Sequence, residues 1–307
     1  MNTALTNQWF KSLKSHSAAH PYTALGLAFS LIAVAFLFIH SIDQLINGTS
    51  SQSFRWAMMA GAAGFTATAI GALPALLITN LPQKIEDSLL GFAAGMMLAA
   101  SAFSLIIPGL AAGETLFNNK FIAAMVVVIG LALGVMLMLG LDQFTPHEHD
   151  KTGPCGPGHE ICGRVWLFVF AIALHNLPEG MAMGVSFSNG DLSVGLPLST
   201  AISLQDIPEG LAVALSLRAA GAKAGLAVLI AAASGLLEPV GALLGVSLSN
   251  GSAWTYPVGL GLAAGAMIFV VSHEVIPETH RNGHQTTATI GLMIGFALMM
   301  VLDTTLG

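Results

Sequence analysis

The chain is organised as a series of long apolar runs separated by short polar connections. The first run is Tyr22–Ile39, and eight more follow at 54–78, 88–111, 121–141, 163–188, 192–218, 222–248, 254–272 and 286–305. Most are close to the roughly 20 residues that cross a bilayer as a helix. The runs are apolar on every side instead of alternating in polarity, which favours helices over strands. The pattern predicts an all-α, polytopic membrane protein.

Composition agrees with this prediction. Charged residues make up only 8% of the chain and hydrophobic residues 54%, whereas soluble domains carry about 25% charged residues. The lipid bilayer is therefore an expected partner, and nucleic acid is not. Cys155 and Cys162 lie in the same connection and provide no disulfide framework.

The first run is interpreted as an uncleaved leader helix, because it exceeds the roughly 7–15 residues of a signal-peptide core. We divide the chain into residues 1–53, a cytoplasmic N-terminus with the leader helix, and residues 54–307, a domain of eight helices. If the N-terminus is cytoplasmic, eight lysines and arginines fall inside and two outside. This asymmetry predicts a cytoplasmic N-terminus, an external C-terminus and a location in the cell inner membrane.

The longest connection between the eight helices, residues 142–162, is cytoplasmic in this topology. It contains Asp142, His147, His149 and His159, whose side chains are common metal ligands. A flexible polar linker and a functional element are both consistent with this composition.

Two apolar runs carry the same polar motif at their centres. Helix four contains His175-Asn176-Leu177-Pro178-Glu179-Gly180, and helix five contains Gln205-Asp206-Ile207-Pro208-Glu209-Gly210. The first, second and fifth positions of each motif share one side of a helix, because residues three and four apart are neighbours. The two helices run in opposite directions, so the repeated motif is typical of an inverted repeat.

Further polar side chains lie at the same depth. Glu238 is central in helix six, and Met97, Ser101 and Ser104 are central in helix two. All fall within about one helical turn of the membrane midplane. A methionine is more often core packing and a serine more often bonds to its own helix, so these three are weaker candidates than Glu238.

Prolines 178, 208 and 239 lie beside this layer. Each cannot donate to the carbonyl four residues earlier, and each is expected to leave that carbonyl free for an ion or a water.

Four acidic residues share the layer: Glu179, Asp206, Glu209 and Glu238. Unpaired and charged they would cost on the order of 10–14 kcal/mol together, unless they are protonated. No lysine or arginine of the sequence lies at this depth, so two divalent cations are the natural counter-charge. The accompanying imidazole, amide and thioether groups favour a borderline ion such as zinc over calcium or magnesium.

These motifs, the Glu238-Pro239 pair and the His-rich loop closely resemble the ZIP (Zrt/Irt-like protein) family of divalent metal transporters. The resemblance covers roughly residues 54–307 and is greatest to bacterial zinc-transporting members. It implies an eight-helix homodimer that takes Zn²⁺, and also Cd²⁺, into the cytoplasm through a binuclear site between helices four and five.

The resemblance also implies a ligand set. One ion would be held by Met97, His175, Glu179, Gln205 and Glu209, and the other by Asn176, Asp206, Glu209 and Glu238. Glu209 would bridge the ions, with Glu179 as a second bridge. Ser104 would line the outer approach, and His273, Glu274, Asp142, His147 and His149 the cytoplasmic exit. Gln205 or Asp206 stands where eukaryotic members often have a second histidine.

Two other functions are conceivable for a polytopic protein with buried metal-ligating residues. An intramembrane metalloprotease needs His-Glu-x-x-His on one helical face. Here His280 follows His273 by seven residues and a proline intervenes, so the chain lacks the four-residue spacing that brings two imidazoles to one metal. A proton-coupled metal exporter would need the opposite flux. The sequence leaves open whether transport follows a carrier or a channel mechanism.

Overall fold

The computed structural model describes residues 13–28, 32, 52–78, 81–144, 147–149, 153–155, 164–188, 190, 192–219, 221–249 and 253–306. Most of the predicted leader helix lies outside these residues, although 21–28 is helical. The later helices are α1 Gln52–Ala72, extended by a 3₁₀ turn Leu73–Leu76; α2 Gln83–Phe117; α3 Lys120–Phe144; α4 Arg164–Ser188; α5 Leu192–Ala219; α6a Ala224–Ser234 and α6b Leu237–Ser249; α7 Thr255–Thr279; and α8 Gln285–Leu306.

Six of the described helices are long and apolar enough to cross a bilayer, namely α1, α2, α3, α6, α7 and α8. Helices α4 and α5 have sufficient length, at 25 and 28 residues, and they carry the two polar motifs. The prediction of an all-α polytopic membrane protein is confirmed. The number of spans and the domain boundary near residue 54 stay predictions.

Two helices are longer than hydropathy predicted. Helix α2 continues through a π-helical segment, Ser101–Ile106, and α7 continues through another, Val271–Val275. His273 and Glu274 therefore lie inside α7 and not at its end. Helix α6 differs in the opposite way, because a turn at Gly235 and Leu236 divides it.

The 142–162 connection contains a feature that the sequence analysis did not predict. Residues His147–His149 pair in antiparallel fashion with Gly153–Cys155 in a small hairpin of strands β1 and β2. Asp142, the first residue of this connection, belongs to the last turn of α3.

Three helix pairs pack closely through glycines spaced four apart on both partners: α2 with α8, α3 with α7, and α4 with α6b. An added Cβ would collide with the facing backbone, as at Gly180 against Glu238. Such close contact stabilises helix pairs in lipid, where burial from water provides little driving force. The glycines are Gly91, Gly95, Gly291 and Gly295; Gly130, Gly134, Gly261 and Gly265; and Gly180, Gly184, Gly241 and Gly245.

The helices form two groups. Helices α1, α4, α5 and α6 pack mainly on one another, and we call them the motif bundle because it contains both motifs. Helices α2, α3, α7 and α8 form the frame bundle. The two bundles meet where α4 contacts α7 and where α5 contacts α2.

Candidate metal centre

The two motifs meet in the interior of the motif bundle. Carboxylate oxygens of Glu179, Asp206 and Glu209 all lie within 4.8 Å of one another. Glu179 is 0% exposed and Asp206 1% exposed. Helix α4 contributes Glu179 to this contact, and α5 contributes Asp206 and Glu209. Carboxylates this close repel one another unless a cation or a proton lies between them.

A fourth carboxylate reaches the cluster from α6b. The break at Gly235 and Leu236 places Glu238 in the first turn of α6b, where it is 0% exposed. Its Oε2 and the Oδ2 of Asp206 both border on Gly64 of α1, where an added Cβ would collide with Glu238. The Gly235 carbonyl accepts the Glu238 N–H at 3.1 Å. The expectation that Pro239 frees this carbonyl is therefore wrong, because the turn before the proline satisfies it.

The neutral motif residues connect the carboxylates across helices. Gln205 Nε2 donates to Glu179 Oε1 at 2.6 Å. His175 Nδ1 lies 3.9 Å from Glu209 Oε1. Asn176 Nδ2 donates to Ser234 Oγ of α6a at 3.5 Å. Imidazole, amide and carboxylate groups thus adjoin in one buried layer.

Several buried oxygens of this layer lack a hydrogen-bond partner within the described residues. They are Glu179 Oε2, Gln205 Oε1, Asp206 Oδ2 and Glu238 Oε2. Buried polar atoms are ordinarily hydrogen-bonded, because leaving them without a partner costs free energy. A cation coordinated by these oxygens would remove that cost, so the donor set fits a metal ion.

Helix α1 contributes a contact that the sequence analysis missed. Thr68 Oγ1 donates to Glu238 Oε1 at 2.9 Å and also lies 3.2 Å from the carbonyl of Gly64. An isolated threonine in an apolar helix usually bonds only to its own backbone, so the residue alone gives no signal. The nearest signal in the sequence was the pair Gly64 and Gly71, seven residues apart on one side of α1. In the structure both glycines face the backbone or side chains of the other helices of the motif bundle.

The predicted residues of α2 have different surroundings. Met97 is buried, with 1% exposure, and Ser101 Oγ donates to the Met97 carbonyl at 2.8 Å, within its own helix. Ser104 instead donates to Asp303 Oδ1 of α8 at 2.6 Å. Asp303 was not predicted as a partner of Ser104. Its only signal in the sequence was an acidic side chain near the end of an apolar helix. The role of Met97 as a ligand stays a prediction.

A second cluster lies where α3 meets the π segment of α7. Ligand atoms of Asp142, His273 and Glu274 lie within 4.8 Å of one another. His273 Nε2 is 3.8 Å from Asp142 Oδ2, and the His273 side chain is 46% exposed. The structure thus brings together three of the five predicted exit residues. The side chains of His147 and His149 lie outside the described residues.

The ring of His280 faces its own helix. Its Nδ1 lies 2.8 Å from the Ile276 carbonyl and 3.0 Å from Thr279 Oγ1. This contact agrees with the inference that His273 and His280 do not form the histidine pair of a metalloprotease.

Comparison with known proteins identifies a family. The family model described as "ZIP Zinc transporter" matches residues 144–303, which is just over half of the chain. The chain is 61% identical over 293 residues to Zinc transporter ZIPB of Bordetella bronchiseptica, covering 95% of each protein. It is 43% identical over 242 residues to Zinc transporter GufA of Myxococcus xanthus, covering 79% of this chain and 95% of that protein. It is 34% identical over 246 residues to Zinc transporter ZupT of Corynebacterium glutamicum, covering 76% and 93%.

Proposed function

The chain belongs to the ZIP family of zinc transporters, and from this premise we propose that Zn²⁺ crosses the membrane through the acidic cluster between α4 and α5. The protein is a transporter for the uptake of divalent metal and not an enzyme. One observation carries the route: carboxylate oxygens of Glu179, Asp206 and Glu209 converge within 4.8 Å between α4 and α5, and the first two residues are buried. Charge balance there requires cations or protons, since arginine and lysine are absent from the centres of these helices.

We propose that two ions bind together. The contacts divide the layer into two adjoining halves, and this division supports a binuclear site. In one half Gln205 bonds to Glu179 and His175 lies near Glu209. In the other, Asp206 and Glu238 border on the same glycine of α1. The first ion would take Met97, His175, Glu179, Gln205 and Glu209, and the second Asn176, Asp206, Glu209 and Glu238.

The polar contacts outside this layer support a path. Ser104 and Asp303 would receive the ion at the outer end of the frame bundle. Asp142, His273 and Glu274 would release it at the other end, beside the 142–162 connection. The proposal includes a cytoplasmic N-terminus and a location in the cell inner membrane, and the distribution of lysine and arginine supports this orientation.

The ligand types of the centre extend the proposal from Zn²⁺ to Cd²⁺ as a transported ion. Imidazole, thioether and amide ligands beside carboxylates accept Cd²⁺ as well as Zn²⁺, because both ions tolerate softer donors than Ca²⁺ or Mg²⁺ do. The homodimer implied by the family resemblance belongs to the same proposal.

Flux into proteoliposomes of known orientation tests the function. Radioactive Zn²⁺ should enter from the face that carries Ser104 and Asp303, and unlabelled Cd²⁺ should compete whereas Mg²⁺ should not. Transport that runs only in the opposite direction and needs a proton gradient would favour the exporter. A rate equal to that of protein-free liposomes would contradict both functions.

A further inference from the structure

A groove with a volume of about 450 Å³ opens on the outside of the motif bundle, between α1 and α6a. Its lining includes Ile70, Leu73 and Leu229, which are 54%, 51% and 65% exposed. The one hydroxyl in the lining belongs to Thr66, and it donates to the Ala62 carbonyl at 2.7 Å. Both helices belong to apolar membrane spans, so a lipid bilayer is the expected surrounding of this groove.

One end of the groove is basic. Arg218 Nη1 donates to the carbonyls of Ala75 and Ile78 at 2.6 Å each, beside the lining residue Leu76. Lys223 immediately precedes α6a and is exposed. The lining residue Gly225 follows two positions later, and an added Cβ there would meet nothing within 4 Å. The groove therefore has an apolar length and an open, positively charged end.

We propose that this groove binds an acyl chain of an anionic phospholipid whose phosphate lies beside Arg218 and Lys223. Acyl contact alone gives little preference, because the surrounding bilayer is as apolar as the groove. The preference comes from the basic end, since Lys and Arg at a membrane surface attract anionic headgroups. A phospholipid has the same distribution of charge and apolar length as the groove.

The position of the groove connects the lipid to the metal centre. Its lining residue Phe65 lies one turn from Thr68, whose hydroxyl bonds to Glu238. An added Cβ on Gly235 would lie 3.1 Å from Thr68 Cβ and 3.3 Å from Phe65 Cα, so α1 packs directly on the turn between α6a and α6b. A lipid seated in the groove would stabilise this packing just before Glu238. Binding should therefore raise the temperature of thermal unfolding.

The test uses full-length, delipidated protein in neutral detergent, titrated with phosphatidylglycerol or phosphatidylcholine. Native mass spectrometry counts bound lipids, and thermal unfolding follows stability. One phosphatidylglycerol should bind more tightly than phosphatidylcholine and raise the unfolding temperature. Lys223→Ala should weaken phosphatidylglycerol binding about fivefold, the usual effect of one lysine beside anionic headgroups, and leave phosphatidylcholine binding unchanged. Leu229→Trp, which fills the groove, should weaken binding of both lipids.

Matched variants serve as controls. Lys14→Ala removes another exposed lysine, and Leu226→Trp adds the same bulk to α6a outside the groove lining, so neither should change lipid binding. Equal binding of the two lipids by the wild type, or equal effects of Lys223→Ala and Lys14→Ala, would overturn the headgroup assignment. Unchanged lipid binding in Leu229→Trp would show that the groove is not the lipid-binding site. If that variant changed the fraction of dimer and not the lipid binding, the groove would be assigned to a second copy of the chain. If Leu229→Trp does not fold, Leu73→Trp on the α1 wall replaces it under the same criteria.

Discussion

The cluster between α4 and α5 and the cluster between α3 and α7 use similar ligands in different surroundings. Both bring their ligand atoms within 4.8 Å. Glu179 and Asp206 are essentially inaccessible, whereas the His273 side chain is 46% exposed. Water can reach His273 in the second cluster, although Asp142 there is buried, but only a cation or a proton can balance the charges of the first. The first arrangement suits the binding of a dehydrated ion, and the second suits its release to water.

The two clusters also differ in what holds their side chains. In the motif bundle, Gly180 of α4 packs on the backbone of Glu238, and Gly64 of α1 leaves room for its carboxylate. At the second cluster, two of the three ligands lie in a π-helical segment of α7 and the third in the last turn of α3. Substitutions should accordingly have their largest effects in the buried cluster and smaller effects at the exposed one.

Glu209→Gln should produce the largest loss, because this side chain would coordinate both ions and the substitution removes its charge at nearly constant size. We expect zinc flux to fall about 100-fold or more, above the 10–100-fold typical of residues that only support a ligand. Flux into proteoliposomes at matched protein density measures this. Ser101→Ala is the control, since Ser101 bonds within its own helix. Equal flux in the two variants would contradict the bridging role.

Thr68→Val should have the next largest effect, because it removes the hydroxyl that orients Glu238 and keeps the side-chain volume. We expect the affinity for the ion beside Asp206 and Glu238 to fall about tenfold, and the affinity for the other ion to stay the same. Calorimetric titration resolves the two binding steps. Thr68→Ser keeps the hydroxyl and should bind like the wild type. If the valine and serine variants behave alike, Thr68 does not position Glu238 through its hydroxyl.

Asp142→Asn combined with His273→Ala should slow transport less. Asp142 is buried but His273 is 46% exposed, and pairs with one partner in water contribute about 1 kcal/mol, which corresponds to a change of about fivefold in flux. The amount of metal bound by the purified protein at the buried cluster should stay the same. A loss of that metal in the double variant would show that the two clusters are not separate sites.

The smallest effect is expected from replacing His147, His149 and His159 together by alanine. If the 142–162 connection only docks or regulates, flux should change by about twofold or less, as for most surface substitutions. The ratio of metal to protein, measured by elemental analysis, should not change. A fall in that ratio would make the loop part of the primary site.

Much of the centre could be predicted because its residues are incompatible with their surroundings. A carboxylate such as Glu179 in the middle of an apolar run has few explanations other than a functional one. Its four-residue spacing from His175 and the repetition of the motif at Gln205 to Glu209 showed which helices must meet. The structure brings these residues together across α4 and α5.

The parts that were missed depend on contacts between elements distant in sequence. Thr68 and Glu238 are 170 residues apart, and Ser104 and Asp303 are 199 apart. Threonine and serine are ordinary in membrane helices, so their partners emerge only from the packing. The end of α7 was placed too early because hydropathy falls at His273 and Glu274, although the helix continues to Thr279.

Anomalous X-ray diffraction at the zinc absorption edge, from crystals grown with Zn²⁺ in a lipid phase, tests the central claim most directly. A binuclear centre should give two peaks between α4 and α5, separated by the roughly 3.5–4 Å typical of paired metal ions sharing ligands. Glu209 should lie within coordination distance of both peaks. A single peak there, or peaks only beside Asp142 and His273, would contradict the binuclear centre.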